Sequence, residues 1–109
     1  MGIVVLSDGA EVRNNHISTA GSESQPIVIS SSNGHITDNV FRGGGVNSVF
    51  LRPFREMTAS GNRLIGNDLR SFKSAEAQIV FDKGSADNSC ARNEGLDNVS
   101  DAGGKNRCP

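Results

Sequence analysis

The chain of 109 residues contains no tryptophan and no tyrosine, and its aromatic residues are five phenylalanines. Leucine is scarce at five residues, whereas glycine and asparagine are abundant at thirteen and eleven. A composition rich in these two weak helix formers excludes an architecture of long helices. It favours short strands joined by turns, because Gly and Asn adopt positive φ at the least cost. The length allows one small domain.

Long apolar runs and blocks of like charge are also missing. No apolar stretch approaches the roughly 20 residues of a membrane-spanning helix. The N-terminus "MGIVVLSDG" lacks the basic region and long apolar core of a signal peptide. Eleven basic and twelve acidic residues are interspersed along the chain, a pattern without a nucleic-acid footprint or a membrane-seeking patch. We therefore expect neither nucleic acid nor a membrane as a partner.

A six-residue pattern recurs instead. Each copy has an Asn three residues after an apolar or small residue and two before an apolar one: "VRNNHI" at 12–17, "ITDNVF" at 36–41 and "ASGNRL" at 59–64. A degenerate fourth copy, "CARNEGL", starts at Cys90. A β-rich run precedes each copy: "GIVVL", "PIVIS", "SVFLR" and "QIVFD". A unit of about 23 residues that cannot bury its own apolar face predicts stacked rungs of a solenoid.

The recurring asparagines predict a ladder. They would occupy one turn at the same height in each rung: Asn15, Asn39, Asn62 and Asn93. There each amide can bond the backbone of the neighbouring rung and the next Asn side chain. We assign these four residues a structural role.

The runs "GIVV", "PIVI" and "SVFL", each followed by its Asn pattern, resemble the right-handed parallel β-helix family, the pectate-lyase-like superfamily. The resemblance implies an all-β solenoid of about four rungs over residues 1–96, from Gly2 to Leu96, with an insertion near 67–77. An irregular polar tail would follow at 97–109. The resemblance further implies a polysaccharide as a partner and an extracellular or cell-surface location. The leucine-rich repeat is the competing solenoid, but two of its Leu positions hold Ser7 and Ala10 in the first unit.

Period-two alternation divides the β-rich runs into two faces. Ile3 and Val5 point inward with their counterparts in the other rungs, so the middle residues point outward and stack into an apolar stripe: Val4, Val28, Phe50 and Val80. Soluble monomers rarely expose such a patch. We expect the insertion around Leu69 and Phe72, the C-terminal tail or a second copy of the chain to cover it. A homo-oligomer would form through this stripe or through the uncapped N-terminal rung.

Candidate catalytic residues are few. Lyases and epimerases of polyuronates need a base and a cation that neutralises the substrate carboxylate, and galacturonan hydrolases need paired acids. Arg52 and Asp82 follow the third and fourth β-rich runs and would be neighbours, with Lys83 beside them; His16 is a remote candidate base. An Arg–Asp pair on adjacent strands is more often a surface ion pair.

The leading functional hypothesis is therefore a non-catalytic structural or glycan-contacting module, oligomeric or part of a larger protein. The alternatives are a polysaccharide-active enzyme that resembles polyuronate lyases or C5-epimerases, and a fragment that resembles a phage tailspike.

The two cysteines, Cys90 and Cys108, could form one disulfide that ties the tail to the last rung. The alternative is a buried free thiol at Cys90, which occupies an inward position of the repeat. Two Cys and two His without ligand spacing predict no metal site. No motif predicts a cofactor.

Overall fold

The computed structural model describes residues 2–21 and 23–109, which form β-strands and contain no helix. The first sheet consists of β1 (Ile3–Val5), β4 (Ile27–Ile29), β7 (Val49–Leu51), β10 (Ile79–Phe81) and β12 (Val99–Asp101). The second sheet consists of β2 (Glu11–Arg13), β5 (His35–Thr37), β8 (Arg63–Ile65) and β11 (Ser89–Ala91). The third sheet consists of β3 (His16–Thr19), β6 (Val40–Gly45) and β9 (Asp68–Ser74).

All strand pairs in these sheets are parallel, and each pair joins one rung to the next. The chain passes from the first sheet to the second and the third and then begins the next rung. This is a parallel β-solenoid of about four turns, as the repeat predicted. The leucine-rich alternative is wrong, since that repeat follows each strand with a helix or a 3₁₀ turn and the described residues form neither.

The interior is a stack of apolar columns. In the first sheet, Ile3 pairs with Ile27, Ile27 with Val49 and Val49 with Ile79, so the predicted inward positions coincide. Except for Ile3, which is partly buried, the inward residues of rungs one to four in this sheet are buried: Val5, Ile27, Ile29, Val49, Leu51, Ile79 and Phe81. On the third sheet, Phe41 and Phe72 pack edge to face with ring centroids 6.2 Å apart. Alternation along each strand thus supplies the core.

The turn between the second and third sheets repeats in every rung. Its residues have positive φ, at 57°, 56°, 70° and 53° for Asn14, Asp38, Gly66 and Arg92. Asn, Asp and Gly enter this region at little cost, whereas an arginine is strained there. Each of these residues immediately precedes an Asn whose side chain bonds an Asn of a neighbouring rung, so the turn sets the height of that Asn in its rung.

The third rung is longer than the others for a reason that the repeat did not reveal. Twelve positions separate Leu51 from Arg63, against six between Ile29 and His35. The extra residues form a loop in which Phe54 and Met57 make an antiparallel bridge. Residues 67–77, expected to be an insertion, instead supply β9 and its pairing with β6.

Residues 97–109 fold onto the fourth rung. Val99–Asp101 is the strand β12, paired with β10, and Ala102 N donates to Phe81 O at 2.9 Å. Cys108 is joined to Cys90 by a disulfide, so Cys90 is not a free thiol. The polar segment therefore begins a fifth, partial rung, whereas an irregular tail was expected.

Candidate functional site

Two ladders of asparagine side chains run through the solenoid. In the first ladder, Nδ2 of Asn15, Asn39 and Asn67 donates to Oδ1 of the next Asn at 3.1, 3.0 and 2.9 Å, ending at Asn93. The predicted member Asn62 does not belong to this ladder, because β8 pairs Leu64 with Ile36 and so brings Asn67 into register with Asn39. The expected stack exists with Asn67 in the place of Asn62.

The second ladder contains Asn62. Its Nδ2 donates to Asn88 Oδ1 at 3.0 Å, and Asn88 Nδ2 donates to Asn106 Oδ1 at 2.8 Å. In the rung before, Gly34 takes the corresponding position, and its N–H donates to Asn62 Oδ1 at 2.8 Å. A Cβ on Gly34 would lie 3.0 Å from that oxygen. Glycine is therefore the residue that lets the second ladder end there.

Sequence reasoning missed the second ladder, although a signal was present. The segment "LIGNDL" at 64–69 fits the pattern better than "ASGNRL", since Leu64 and Leu69 are both large apolar residues. The second ladder has its own weaker pattern, in which Asn stands two residues before Leu64, Cys90 or Cys108. Because the third rung contains a long loop, the expected interval after Asn39 ended at Asn62, which belongs to the second ladder, and not at Asn67.

The ladders are structural, because their polar atoms are occupied. Each ladder Nδ2 that is buried also donates to a backbone carbonyl of the preceding rung, as Asn39 Nδ2 does to Val12 O at 2.9 Å. Asn47 differs. It is 1% exposed, and neither its Nδ2 nor its Oδ1 has a hydrogen-bond partner among the described residues.

The four candidate catalytic residues do not lie together at one site. Arg52 N donates to Ile29 O and Asp82 N to Leu51 O, both at 2.9 Å, which places the two residues on successive rungs. No ion pair joins Asp82 to Arg52 or Lys83 in the part of the chain that the structure describes. His16 begins β3 in the third sheet, where it pairs with Val40. It is thus on a different sheet from Arg52 and Asp82.

The strongest electrostatic cluster lies on the third sheet. Arg70 bonds both Asp68 carboxylate oxygens, through Nε at 3.0 Å and Nη2 at 2.9 Å, and its Nη1 lies 3.1 Å from Glu94 Oε2. The side-chain and backbone hydrogen bonds from Arg70, followed by its charge and that of Arg42, lower the pKa of Asp68 to about 2. The hydrogen bond and the charge of Asp68, together with the charge of Glu94, raise the pKa of Arg70. This is a local ion-pair network that fixes the start of β9.

A second lowered carboxyl lies in the last rung. The Gly104 N–H, which donates to Asp101 Oδ1 at 2.8 Å, lowers the pKa of Asp101, with help from Asn106 and Gly103. The contacts close a turn within 101–106.

Over residues 2–21 and 23–109, no three His, Cys, Asp or Glu side chains come together in a group that could hold a metal ion. In the same ranges, no helix has the length and apolarity to cross a membrane.

The outer face of the first sheet carries an apolar groove of about 340 Å³. We call it the outer groove; its lining residues are Val4, Leu6, Val28, Ser30, Arg52 and Phe54. Val4, Leu6 and Phe54 are 47%, 50% and 43% exposed, the three large apolar side chains most open to solvent among the described residues. Arg55 stacks over the Phe54 ring, with its Cζ 5.2 Å from the centroid. The outer groove is the largely apolar surface that the fold leaves open.

The predicted apolar stripe contributes to this groove in part. Val4 and Val28 line it, but Val28 is 8% exposed and lies outside the interior cluster, so it is buried on the outer face. Phe50 and Val80 are half-buried farther along the sheet. Leu69 and Phe72, proposed as a cover, belong to the core instead. Leu6 and Phe54 were missed, since Leu6 follows a strand and Phe54 lies in the irregular loop of the third rung.

No protein-family model matches the chain, and neither a curated protein nor a solved structure matches it. The likeness to parallel β-helices therefore stands on the fold of this chain, at the level of a β-solenoid.

Proposed function

We propose that the chain is a non-catalytic structural module that works by surface contact, and that copies of it associate through the outer groove. The observation that carries this proposal is the cluster of Val4, Leu6 and Phe54, each more than 40% exposed around one groove. Contiguous apolar patches on soluble proteins are commonly interaction sites. The stripe continues through Phe50 and Val80, which lengthens the available surface along the first sheet.

Charges of both signs at the margin favour a second copy as the occupant. Arg52 lines the outer groove, Arg55 and Glu56 belong to the adjoining loop, and Asp82 follows the neighbouring strand β10. A two-fold interface brings the same patch of each copy face to face. A margin with both signs can then pair basic residues of one copy with acidic residues of the other.

A contact role, as opposed to catalysis, is supported by the separation of His16 from the other candidate acid–base residues. His16 lies on the third sheet, and Arg52 and Asp82 make no ion pair within the described ranges. A polyuronate lyase or C5-epimerase needs a base and a carboxylate-binding cation at one place. This arrangement favours contact over turnover.

A glycan is the second candidate occupant of the outer groove. The Phe54 ring offers an apolar face, and Arg52 beside it offers the planar donor that carboxylates prefer. Membership of the pectate-lyase-like superfamily would fit this alternative, as would a tailspike-like fragment, which predicts a trimer.

Sedimentation equilibrium of the full chain tests self-association. We expect the wild-type chain to form a dimer, and Leu6→Glu to raise its Kd at least about tenfold, because a carboxylate would be desolvated in the interface. Ser18→Glu is the matched control, since Ser18 is exposed on the third sheet, and it should leave the Kd unchanged. A wild-type chain that stays monomeric at every concentration contradicts self-association. A monomer whose Phe54 and Arg52 NMR signals shift with polygalacturonate would support the glycan alternative.

A further inference from the structure

The third sheet has fewer strands than the other two. The first sheet has five strands, the second four and the third three, with β9 at the end that faces the fourth rung. The cause is a short path in that rung: Glu94 is five positions from Val99, whereas the corresponding Asp68 is eleven from Ile79. The chain reaches β12 without forming a fourth strand in the third sheet, so one edge of β9 has no neighbouring strand.

The uncovered part of this edge is its second half. At the start of β9, Leu69 N donates to Glu94 O at 2.8 Å. At the other end, Ala75 N donates to Gly45 O at 2.8 Å, on the side of β6. Successive residues of a strand turn their backbone groups to opposite sides, so Ser74 and Phe72 turn their N–H and C=O away from β6. Among residues 2–21 and 23–109, no backbone group pairs with them there.

A cleft of about 350 Å³ lies against this edge. One wall is the chain from Phe72 to Gln78, and the other is Asp97 and Asn98. The Gln78 side chain fixes the second wall, because its Nε2 donates to Gly95 O and its Oε1 accepts from Asp97 N, both at 2.8 Å. The cleft is thus a preformed slot beside unpaired strand groups.

We propose that this slot binds an extended peptide segment of a partner protein, which adds to β9 as a parallel strand. An open strand edge selects an extended backbone as its ligand, and side-chain contacts then give specificity. Lys73 is exposed and makes no ion pair within the described chain, so the peptide residue beside it is acidic. Glu76 and Asp97 line the same cleft and disfavour any further acidic residue. The inward residues of the peptide are apolar and continue the stack above Phe72, which is 5% exposed.

The test uses the acetylated, amidated peptide Thr-Val-Glu-Val-Thr-Val-Thr and the full chain. Residue-resolved hydrogen exchange should slow at the Phe72 and Ser74 amides at least about tenfold when the peptide is saturating, because both gain strand hydrogen bonds. A peptide with Pro in place of the second Thr is the control, since the outward residues are those whose N–H faces β9 and Pro removes one of these donors.

Charge reversal separates this slot from nonspecific adhesion. Lys73→Glu should weaken the Glu peptide about tenfold and bind a Lys-containing version more tightly than the wild-type chain does. Lys83→Glu, an exposed change outside the slot, should leave both affinities unchanged. Unchanged exchange at Phe72 and Ser74, equal slowing by the Pro peptide, or slow exchange already in the free chain would each overturn the proposal. So would a Lys73→Glu chain that binds the two peptides as the wild type does.

Discussion

Buried asparagine side chains in this molecule are of two kinds. Asn39 is fully buried and occupies a ladder, where it accepts from Asn15 and donates to Asn67 and Val12. Asn47 is equally buried, but its amide has no partner within the described residues. The contribution of a buried amide depends on its partners, because an unpaired polar group costs about 1–3 kcal/mol of stability.

The same substitution should therefore have different effects at the two positions. Asn39→Leu removes the amide that donates to Asn67 Oδ1 and Val12 O and that accepts from Asn15 N and Nδ2, and we expect a loss of about 3 kcal/mol in the free energy of unfolding. Asn47→Leu removes an unpaired amide, so the free energy of unfolding should stay the same or rise by about 1 kcal/mol. Urea denaturation followed by circular dichroism measures both. Equal losses in the two variants would argue against the ladder as the stabilising element.

At the residue scale, the sequence predicted that asparagines form a structural ladder, but one of the four predicted ladder members was wrong. The interval from Asn15 to Asn39 set the period of 24 residues, and the interval from Asn39 to Asn62 is one residue shorter. Asn67 was the correct member, but the period cannot identify it when the loop between Leu51 and Arg63 doubles in length. Loop length is weakly constrained by stability, so it is the part of a repeat that a count of residues cannot supply.

Among the elements, β9 is held at its start by charge. Asp68 has its pKa lowered to about 2 from 3.8, mainly by the hydrogen bonds from Arg70. A carboxyl whose pKa is lower in the folded chain stabilises it above the unfolded value, and this contribution is lost as the pH falls through the folded value. The effect is present above pH 4 and disappears towards pH 2. Because Arg70 is exposed and solvent screens the pair, we expect this contribution to be small.

Asp68→Asn tests this contribution. The variant should be less stable than the wild type at pH 6, and the two should converge as the pH falls to 2, because the wild-type carboxyl becomes protonated in the folded chain over that range. Urea titrations between pH 2 and pH 7 measure the difference, and molar salt should reduce it at neutral pH. A difference that is the same at every pH would mean that hydrogen bonding or packing, and not charge, accounts for the effect.

The elements were predicted unevenly. The runs "IVV", "IVI", "VFL" and "IVF" were assigned correctly, because alternation with β-branched residues identifies a strand with one buried face. The strands β9 and β12 were missed. "DLRSFKS" contains a bulge at its pairing with β6, which breaks its alternation, and "VSD" has a single apolar residue.

For the whole molecule, the fold followed from the repeat and the surfaces did not. The repeat constrains inward positions such as Ile27 and Ile36, which are fully buried. It does not constrain the outward positions. Leu6 and Phe54 line a groove that is created by the conformation of a loop. The open edge of β9 likewise results from the short path after Glu94. Both surfaces therefore depend on departures from the repeat.

We propose that this solenoid makes contacts without transforming a substrate. Proton NMR of alginate, pectate and neutral glycans incubated with the chain in heavy water tests this proposal. We predict unchanged spectra, with no olefinic signals from elimination, no new reducing ends from hydrolysis and no loss of the C5 proton signal from epimerisation. The appearance of any of these signals, and its loss in the Arg52→Ala or Asp82→Asn variant, would contradict the claim and place catalysis on the outer face of the first sheet.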